Sequence, residues 1–349
     1  MFESYEYDGP SSAVPIAVPY VLALRVTERC HTGCGHCYLG AGPQGEEMGL
    51  GLVRAVVRQA SELSIRTIHV TGGEPLLHAE LEEIVGTARS AGLMVEMVTS
   101  IFSPGQLAPP VRLRRLAHAG LERVMVSYDD WHARVVSLRE LAAFLDCGLT
   151  LGLDVAVNVV EQSGSTWTCD TLLHACAGLF QGAESVDWLP AQISSIGRAA
   201  ASGLKESIDA CGARCAFSLT SPTVTPSGEV VVCCNAKQDT PGMKLGKIGK
   251  DSLACCLNRL AAHPLARINA VFGPHRAWPV FGNSLEDAPS GTCASCQMMM
   301  KQFSDCDAVA RLETLSRSLP AELPLDFEAL NTWCRRAIPK DATRTYAVD

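Results

Sequence analysis

The 349-residue sequence contains no long apolar run, no internal repeat and no low-complexity tract. Its opening, MFESYEYDGPSS, is acidic and lacks the basic start and apolar core of a signal peptide. The apolar stretch from Val14 to Val26 is too short to span a bilayer and is interrupted by Pro15 and Pro19. Neither export nor membrane anchoring is expected, and a cytoplasmic chain is. Positive charge is also scarce, with 29 Lys+Arg against 37 Asp+Glu and a net charge of -8. No basic face is available to offset phosphate repulsion, so nucleic acid is not an expected partner. Aromatic residues make up only 6% and charged residues 19%, whereas apolar residues reach 47%. That balance excludes a disordered, collagen-like or coiled-coil chain and fits an α/β enzyme of about two domains.

Cysteine, by contrast, is abundant, with 16 in the chain. Secreted disulfides, metal sites and redox chemistry are the three explanations. Disulfides are rare in the cytoplasm, so the excess reads as metal or cluster ligation together with some buried free thiols.

Apolar runs rich in β-branched residues recur at Val21 to Val26, Thr67 to Thr71, Leu93 to Thr99, Arg123 to Ser127, Asp154 to Val160 and Val186 to Pro190. Amphipathic segments such as Leu50 to Leu63 and Ala79 to Ala91 lie between them. Six β-α repeats predict a parallel sheet covered by helices, doubly wound or curved into a partial barrel, with ligands at the strand C-termini. After Gly197 the rhythm stops. Thr223 to Cys234 reads as a hairpin turning at Pro226-Ser227-Gly228, Phe272 to Pro289 as a loop, and Cys296 to Leu319 as helical.

Directly after the first predicted strand, Cys30, Cys34 and Cys37 stand as C-x3-C-x2-C in CHTGCGHCYLG. Three thiolates in one short loop can hold a cubane iron-sulfur cluster while leaving one iron open to a cosubstrate, and Gly33 and Gly35 let the backbone turn around it. A structural zinc site is the simpler reading of the same residues. At the end of the second strand lies Thr71-Gly72-Gly73-Glu74-Pro75. With these two motifs the chain resembles the radical S-adenosylmethionine (SAM) superfamily, although His36 stands where that family usually has an aromatic residue before the third cysteine.

The resemblance implies a partial (β/α)6 TIM barrel over residues 1–205, a cysteine-rich hairpin and helix domain over 206–306, and a helical tail over 307–349. It implies S-adenosyl-L-methionine and a 4Fe-4S cluster on Cys30, Cys34 and Cys37 as cofactors. Gly72, Gly73, Glu74 and Pro75 are then expected at the methionine amino group, where glycine lets carbonyls approach and Glu74 can supply a charge-assisted hydrogen bond. Ser127, Asn158 and, more remotely, Arg134, Arg139 or Arg198 are further cofactor contacts by resemblance. Asp129, Asp130 and His132 would face substrate, while capping a helix N-terminus is the plainer role for either aspartate. The second domain resembles the auxiliary-cluster extensions called twitch and SPASM. Cys215, Cys233, Cys293 and Cys296 form the favoured ligand set, Cys234 being interchangeable with its neighbour. An alternative set is Cys211, Cys215, Cys233 and Cys306, with Cys293, Cys296 and Cys334 around an incomplete second cluster. Cys147, Cys169, Cys176, Cys255 and Cys256 read as core filler.

The implied activity is reductive cleavage of SAM to a 5'-deoxyadenosyl radical that abstracts a substrate hydrogen, with the barrel closed over it by the second domain and tail. An auxiliary cluster favours oxidation, such as dehydrogenation. Epimerisation with a cysteine hydrogen donor and cross-linking of a ribosomal peptide are the alternatives. With 29 residues before Cys30, a small natural-product or sugar-derived substrate is expected ahead of a peptide. A flavodoxin- or ferredoxin-type reductase is the expected electron donor. A structural zinc protein and an iron-sulfur sensor or carrier are the readings from other classes.

Overall fold

A computed structural model describes residues 19–205, 213–235, 240–282, 289, 291–303, 305–319, 323 and 330. Six parallel strands come first: β1 (Val21–Thr27), β2 (Thr67–Gly72), β3 (Met94–Thr99), β4 (Arg123–Ser127), β5 (Asp154–Val160) and β6 (Asp187–Ala191). Between them run α1 (Leu50–Glu62), α2 (Leu81–Ser90), α3 (Pro109–Ala119), α4 (Leu138–Thr150) and α5 (Cys169–Ala177). Each strand pairs with its sequence neighbour, in the order β6-β5-β4-β3-β2-β1. A doubly wound sheet would reverse direction at a switch point; uninterrupted order is the signature of a barrel wall, so the first half of the chain is a partial (β/α)6 barrel.

Strands β1 and β2 are near-continuous buried runs, whereas β3 and β4 alternate buried with more accessible positions. In β1 all residues from Leu22 to Thr27 are buried. The helices cover them through stripes at helical spacing, such as Val53, Val56, Val57 and Ala60 on α1. Helix α4 begins with a reciprocal capping box between Ser137 and Glu140, which satisfies orphan N–H groups at its start.

After β6 come α6 (Arg198–Ala201), α7 (Phe217–Thr220), β7 (Thr223–Val224), β8 (Glu229–Val231), β9 (Lys244–Lys247), α8 (Leu253–Ala262), α9 (Pro264–Val271), α10 (Thr292–Lys301) and α11 (Cys306–Ser316). Strands β7 and β8 form the expected antiparallel hairpin. The hairpin adds to the barrel sheet itself, because β7 pairs in parallel with the free edge of β1 at Ala23 and Leu24. The segment expected to be helical from Cys296 onward is two helices, α10 ending at Lys301 and α11 beginning at Cys306. The segment read as a loop contains two short 3-10 turns, Pro274–Arg276 and Trp278–Phe281. Among the described residues, no helix is long and apolar enough to cross a membrane.

Candidate active site

The loop that leaves β1 carries Cys30, Cys34 and Cys37 and closes on itself. Glu28 N–H donates to Glu46 C=O at 2.9 Å, Cys30 N–H to Gly42 C=O at 2.6 Å, and Met48 N–H returns to Val26 C=O at 2.8 Å. Arg198, at the start of α6, braces it from across the barrel mouth. Its backbone N–H donates to Cys37 C=O at 2.9 Å, its Nη1 to Cys34 C=O at 2.8 Å, and its Nη2 to Ala41 C=O. The expected cofactor contact is thus a strut for the cysteine loop. Arg134 and Arg139 are exposed.

The three thiols are half-buried, and for Cys30 and Cys34 that environment disfavours ionisation. Burial pushes the Cys30 thiol up, with the Glu74 and Cys37 charges adding to it and the Thr32 hydroxyl opposing. Cys34 is pushed further, by burial and then by the charges of Asp129, Cys30 and Cys37. Thiolates gathered here need a cationic centre to hold them. Among the described residues, the one trio of His, Cys, Asp or Glu donors lying within 4.8 Å of one another is His36, Asp129 and His132. The three loop thiols are spread more widely than one tetrahedral zinc ion requires, a donor set that fits a multi-iron cluster better than a single ion.

Gly72 and Gly73 serve the approach of two strand ends. A Cβ on Gly73 would overlap Arg29 C=O and lie 2.6 Å from its carbonyl carbon, where the chain makes hydrogen bonds from Gly73 N–H to Thr27 C=O (2.7 Å) and from Glu74 N–H to Arg29 C=O (2.8 Å). Glu74 is fully buried. Its Oε1 accepts from Leu76 N–H at 3.0 Å and Thr99 O–H at 2.6 Å, and its Oε2 accepts from Ser100 N–H and O–H, both at 2.6 Å. Burial pushes its carboxyl up despite these four donors. The expected ammonium ligand is here a carboxylate that fastens the β2 end to the β3 end. Pro75 opens the following 3-10 turn.

At the end of β4 the polar residues separate into different tasks. Asp130 turns both oxygens to the backbone of a distant loop, accepting from Thr166 N–H at 2.9 Å and Trp167 N–H at 3.0 Å. Asp129 Oδ1 caps the next turn, accepting from the N–H groups of Trp131 (2.9 Å) and His132 (3.2 Å). The same oxygen lies 2.8 Å from His132 Nδ1, while Asp129 Oδ2 lies 3.3 Å from His36 Nε2. Burial opposes the Asp129 charge, yet His132 and His36 together hold its carboxyl below the usual value. His132 Nε2 in turn lies 3.4 Å from Cys34 Sγ. The His36 ring tilts against Trp131, with centroids 4.5 Å apart, and burial depresses its pKa to about 4.

A cavity of about 510 Å³ joins these parts. Its lining includes His36, Tyr38, Ser127, Asp129 and Asn158 from the barrel part of the chain, and Cys215, Cys233, Cys234, Cys293 and Cys296 from the part after it. The cavity therefore gathers seven of the residues singled out in the sequence around one space: Ser127, Asp129, Asn158 and the four favoured cysteines. Asp130 and Cys306 are not among its lining residues, and Cys306 is exposed at the start of α11. Cys211 and Cys334 lie outside the described residues. Cys147, Cys176, Cys255 and Cys256 are buried, as core residues should be, and Cys169 is partly so. Within the second thiol group, the charges of Cys234, Cys215, Cys296 and Cys293 all bear on Cys233, while Cys234 feels Arg25 and then Cys293 after burial and itself bears on Cys215. Asn269 Nδ2 donates to Cys296 Sγ at 3.1 Å, and Asn235 Nδ2 to Cys293 Sγ at 3.5 Å.

Arg25 went unnoticed in the sequence. It is 3% exposed, and its Nη2 donates to Cys234 C=O at 2.8 Å, tying β1 to the second cysteine group. A lone cation inside the otherwise apolar strand VLALRVT was the signal.

Residues 24–142 match the family model of the radical SAM superfamily. This part of the chain belongs to that superfamily. Over 114 residues the chain is 35% identical to a PqqA peptide cyclase of Xanthomonas oryzae pv. oryzae (strain MAFF 311018), covering 32% of this chain and 30% of the relative. It is 32% identical over 114 residues to a PqqA peptide cyclase of Gluconobacter oxydans (strain 621H), covering 32% and 31%. The chain thus spans about a third of the length of the curated relatives it matches. A solved structure described as native anSMEcpe with bound AdoMet has the same fold, with a TM-score of 0.52 at 12% identity, covering 86% of this chain and 99% of that one.

Proposed function

We propose that this radical SAM enzyme binds S-adenosyl-L-methionine against a 4Fe-4S cluster held by Cys30, Cys34 and Cys37, and oxidises a C–H bond of a substrate in the cavity. A second 4Fe-4S cluster on Cys215, Cys233, Cys293 and Cys296 would accept the remaining electron. The observation that carries this reading is one cavity lined both by residues around the first cysteine loop and by the second cysteine group. The cofactors supply a 5'-deoxyadenosyl radical, formed by reductive cleavage of SAM, that takes a hydrogen atom from carbon.

The protein's own part is positioning and exclusion of water. Arg198 holds the cysteine loop by three backbone carbonyls. The Gly72–Pro75 turn and the Ser127 and Asn158 side chains orient the cofactor at the strand ends, as that face of a barrel does for its ligands. Cys233 completes the proposed second ligand set, and its neighbour Cys234 is tied to Arg25 through its backbone carbonyl. The proposed unit 206–306 shares the sheet of unit 1–205 through β7. The electron donor is a one-electron reductase of the flavodoxin or ferredoxin type.

The cavity, of about 510 Å³, is of a size for one side chain or one small metabolite. Similarity to enzymes named PqqA peptide cyclase supports a peptide side chain. The test is anaerobic reconstitution, reduction and addition of SAM. About eight irons per chain and release of 5'-deoxyadenosine are expected. Cys30→Ala should abolish that release, whereas Cys293→Ala should retain it and block substrate turnover. Colourless protein binding zinc, with no 5'-deoxyadenosine after full reconstitution, would overturn the reading.

A further inference from the structure

We propose that His132, locked in place by Asp129, is a positioning residue that donates an N–H···S hydrogen bond to Cys34 when that cysteine ligates its cluster. The proposal rests on the preceding assignment of Cys34 as a ligand. His132 is 4% exposed and both its ring nitrogens are engaged, Nδ1 at 2.8 Å from Asp129 Oδ1 and Nε2 at 3.4 Å from Cys34 Sγ. Asp129 has no freedom to release it. The carboxylate is fully buried and the same oxygen is pinned by the backbone N–H groups of Trp131 and His132.

A ligating cysteine has lost its proton and its sulfur can only accept. The group aimed at it must then be a donor: with its Nδ1–H given to the Asp129 carboxylate, His132 donates from Nε2 as the imidazolium, the proton lost by the Cys34 thiol passing to that nitrogen, and the carboxylate fixes the ring in direction. The three ligands are served unequally. Cys30 has a hydroxyl beside its sulfur, that of Thr32 at 3.4 Å, and the imidazole is at Cys34. Hydrogen bonds to the sulfurs withdraw charge from a cluster and favour its reduced state. His132 thus eases electron entry from the Cys34 corner, while Asp129, through its other oxygen, also touches the cavity-lining His36.

The test compares reconstituted wild type, His132→Phe and His132→Gln, whose amide can restore an N–H donor without a ring. Iron content and the midpoint potential of the loop cluster are read by spectroelectrochemical titration, that cluster being identified by the change in its EPR signal when SAM is added. The Phe variant should retain the cluster at a more negative potential, or fail to retain it, and the Gln variant should recover most of the loss. Equal potentials in all three proteins would overturn the proposal. So would equal losses in Phe and Gln, which would mark His132 as packing alone. Absence of any loop cluster in the wild type would instead sink the proposed function.

Discussion

Replacing Gly197 with alanine tests whether the cysteine loop is clamped from the far side of the barrel. Gly197 has φ 61° and ψ -132°, a region that side-chain-bearing residues avoid. An added Cβ would overlap Tyr38 C=O and lie 2.5 Å from its carbonyl carbon and 2.8 Å from Cys37 C=O. These are backbone atoms, so no rotamer change relieves the clash. Backbone strain of about 1–3 kcal/mol and overpacking of about 1–3 kcal/mol give a destabilisation of about 4 kcal/mol. At a urea dependence of about 2 kcal/mol per molar, the unfolding midpoint falls by about 2 M. Gly203 provides the control: its φ is also positive, at 69°, but nothing lies within 4 Å of an added Cβ, so Gly203→Ala should cost only about 1–2 kcal/mol. Urea titration of both reconstituted variants, with iron content measured in parallel, checks the difference. Equal midpoints for the two variants, with full iron in Gly197→Ala, would refute the clamp.

Cys233→Ser should lose about four irons per chain while Cys234→Ser keeps them; the reverse pattern in iron analysis would exchange the two residues. Glu74→Gln should destabilise by about 1–3 kcal/mol, because an amide N–H2 would face donors on whichever side it took; chemical denaturation at wild-type midpoint would contradict the four-donor arrangement. His263, buried and hydrogen-bonded to Gly242 C=O at 2.9 Å, has its pKa pushed down by burial to about 4. The unfolded chain takes up a proton at this position near pH 6.5 and the folded chain does not, so stability should fall as pH drops from 6.5 to 4, by about 3 kcal/mol in full. Urea melts across that range should show a flatter dependence in His263→Gln than in wild type.

The barrel strands were legible because each is a short apolar run closed by a turn, and the first cysteine loop because its ligands lie within eight residues of sequence. The features that escaped notice all depend on long-range contacts. The hairpin of β7 and β8 was expected, but the place of β7 beside β1 is set by pairing across some two hundred residues. Asp129 and Asp130 are adjacent in sequence, yet one serves two histidines and the other a loop beyond β5. No periodicity distinguishes them. Glu74 stood in the expected motif, but the Thr99 and Ser100 donors that fill its acceptor positions come from another strand end.

The shared sheet has a mechanical consequence. Strand β1 runs into the first cysteine loop at one end and is stitched along its outer edge to the hairpin that leads to Cys233. The loop thiols and Cys233 are therefore joined through one hydrogen-bonded sheet, from β1 across β7 to β8. Electrons crossing between those groups would meet a distance that the shared sheet braces.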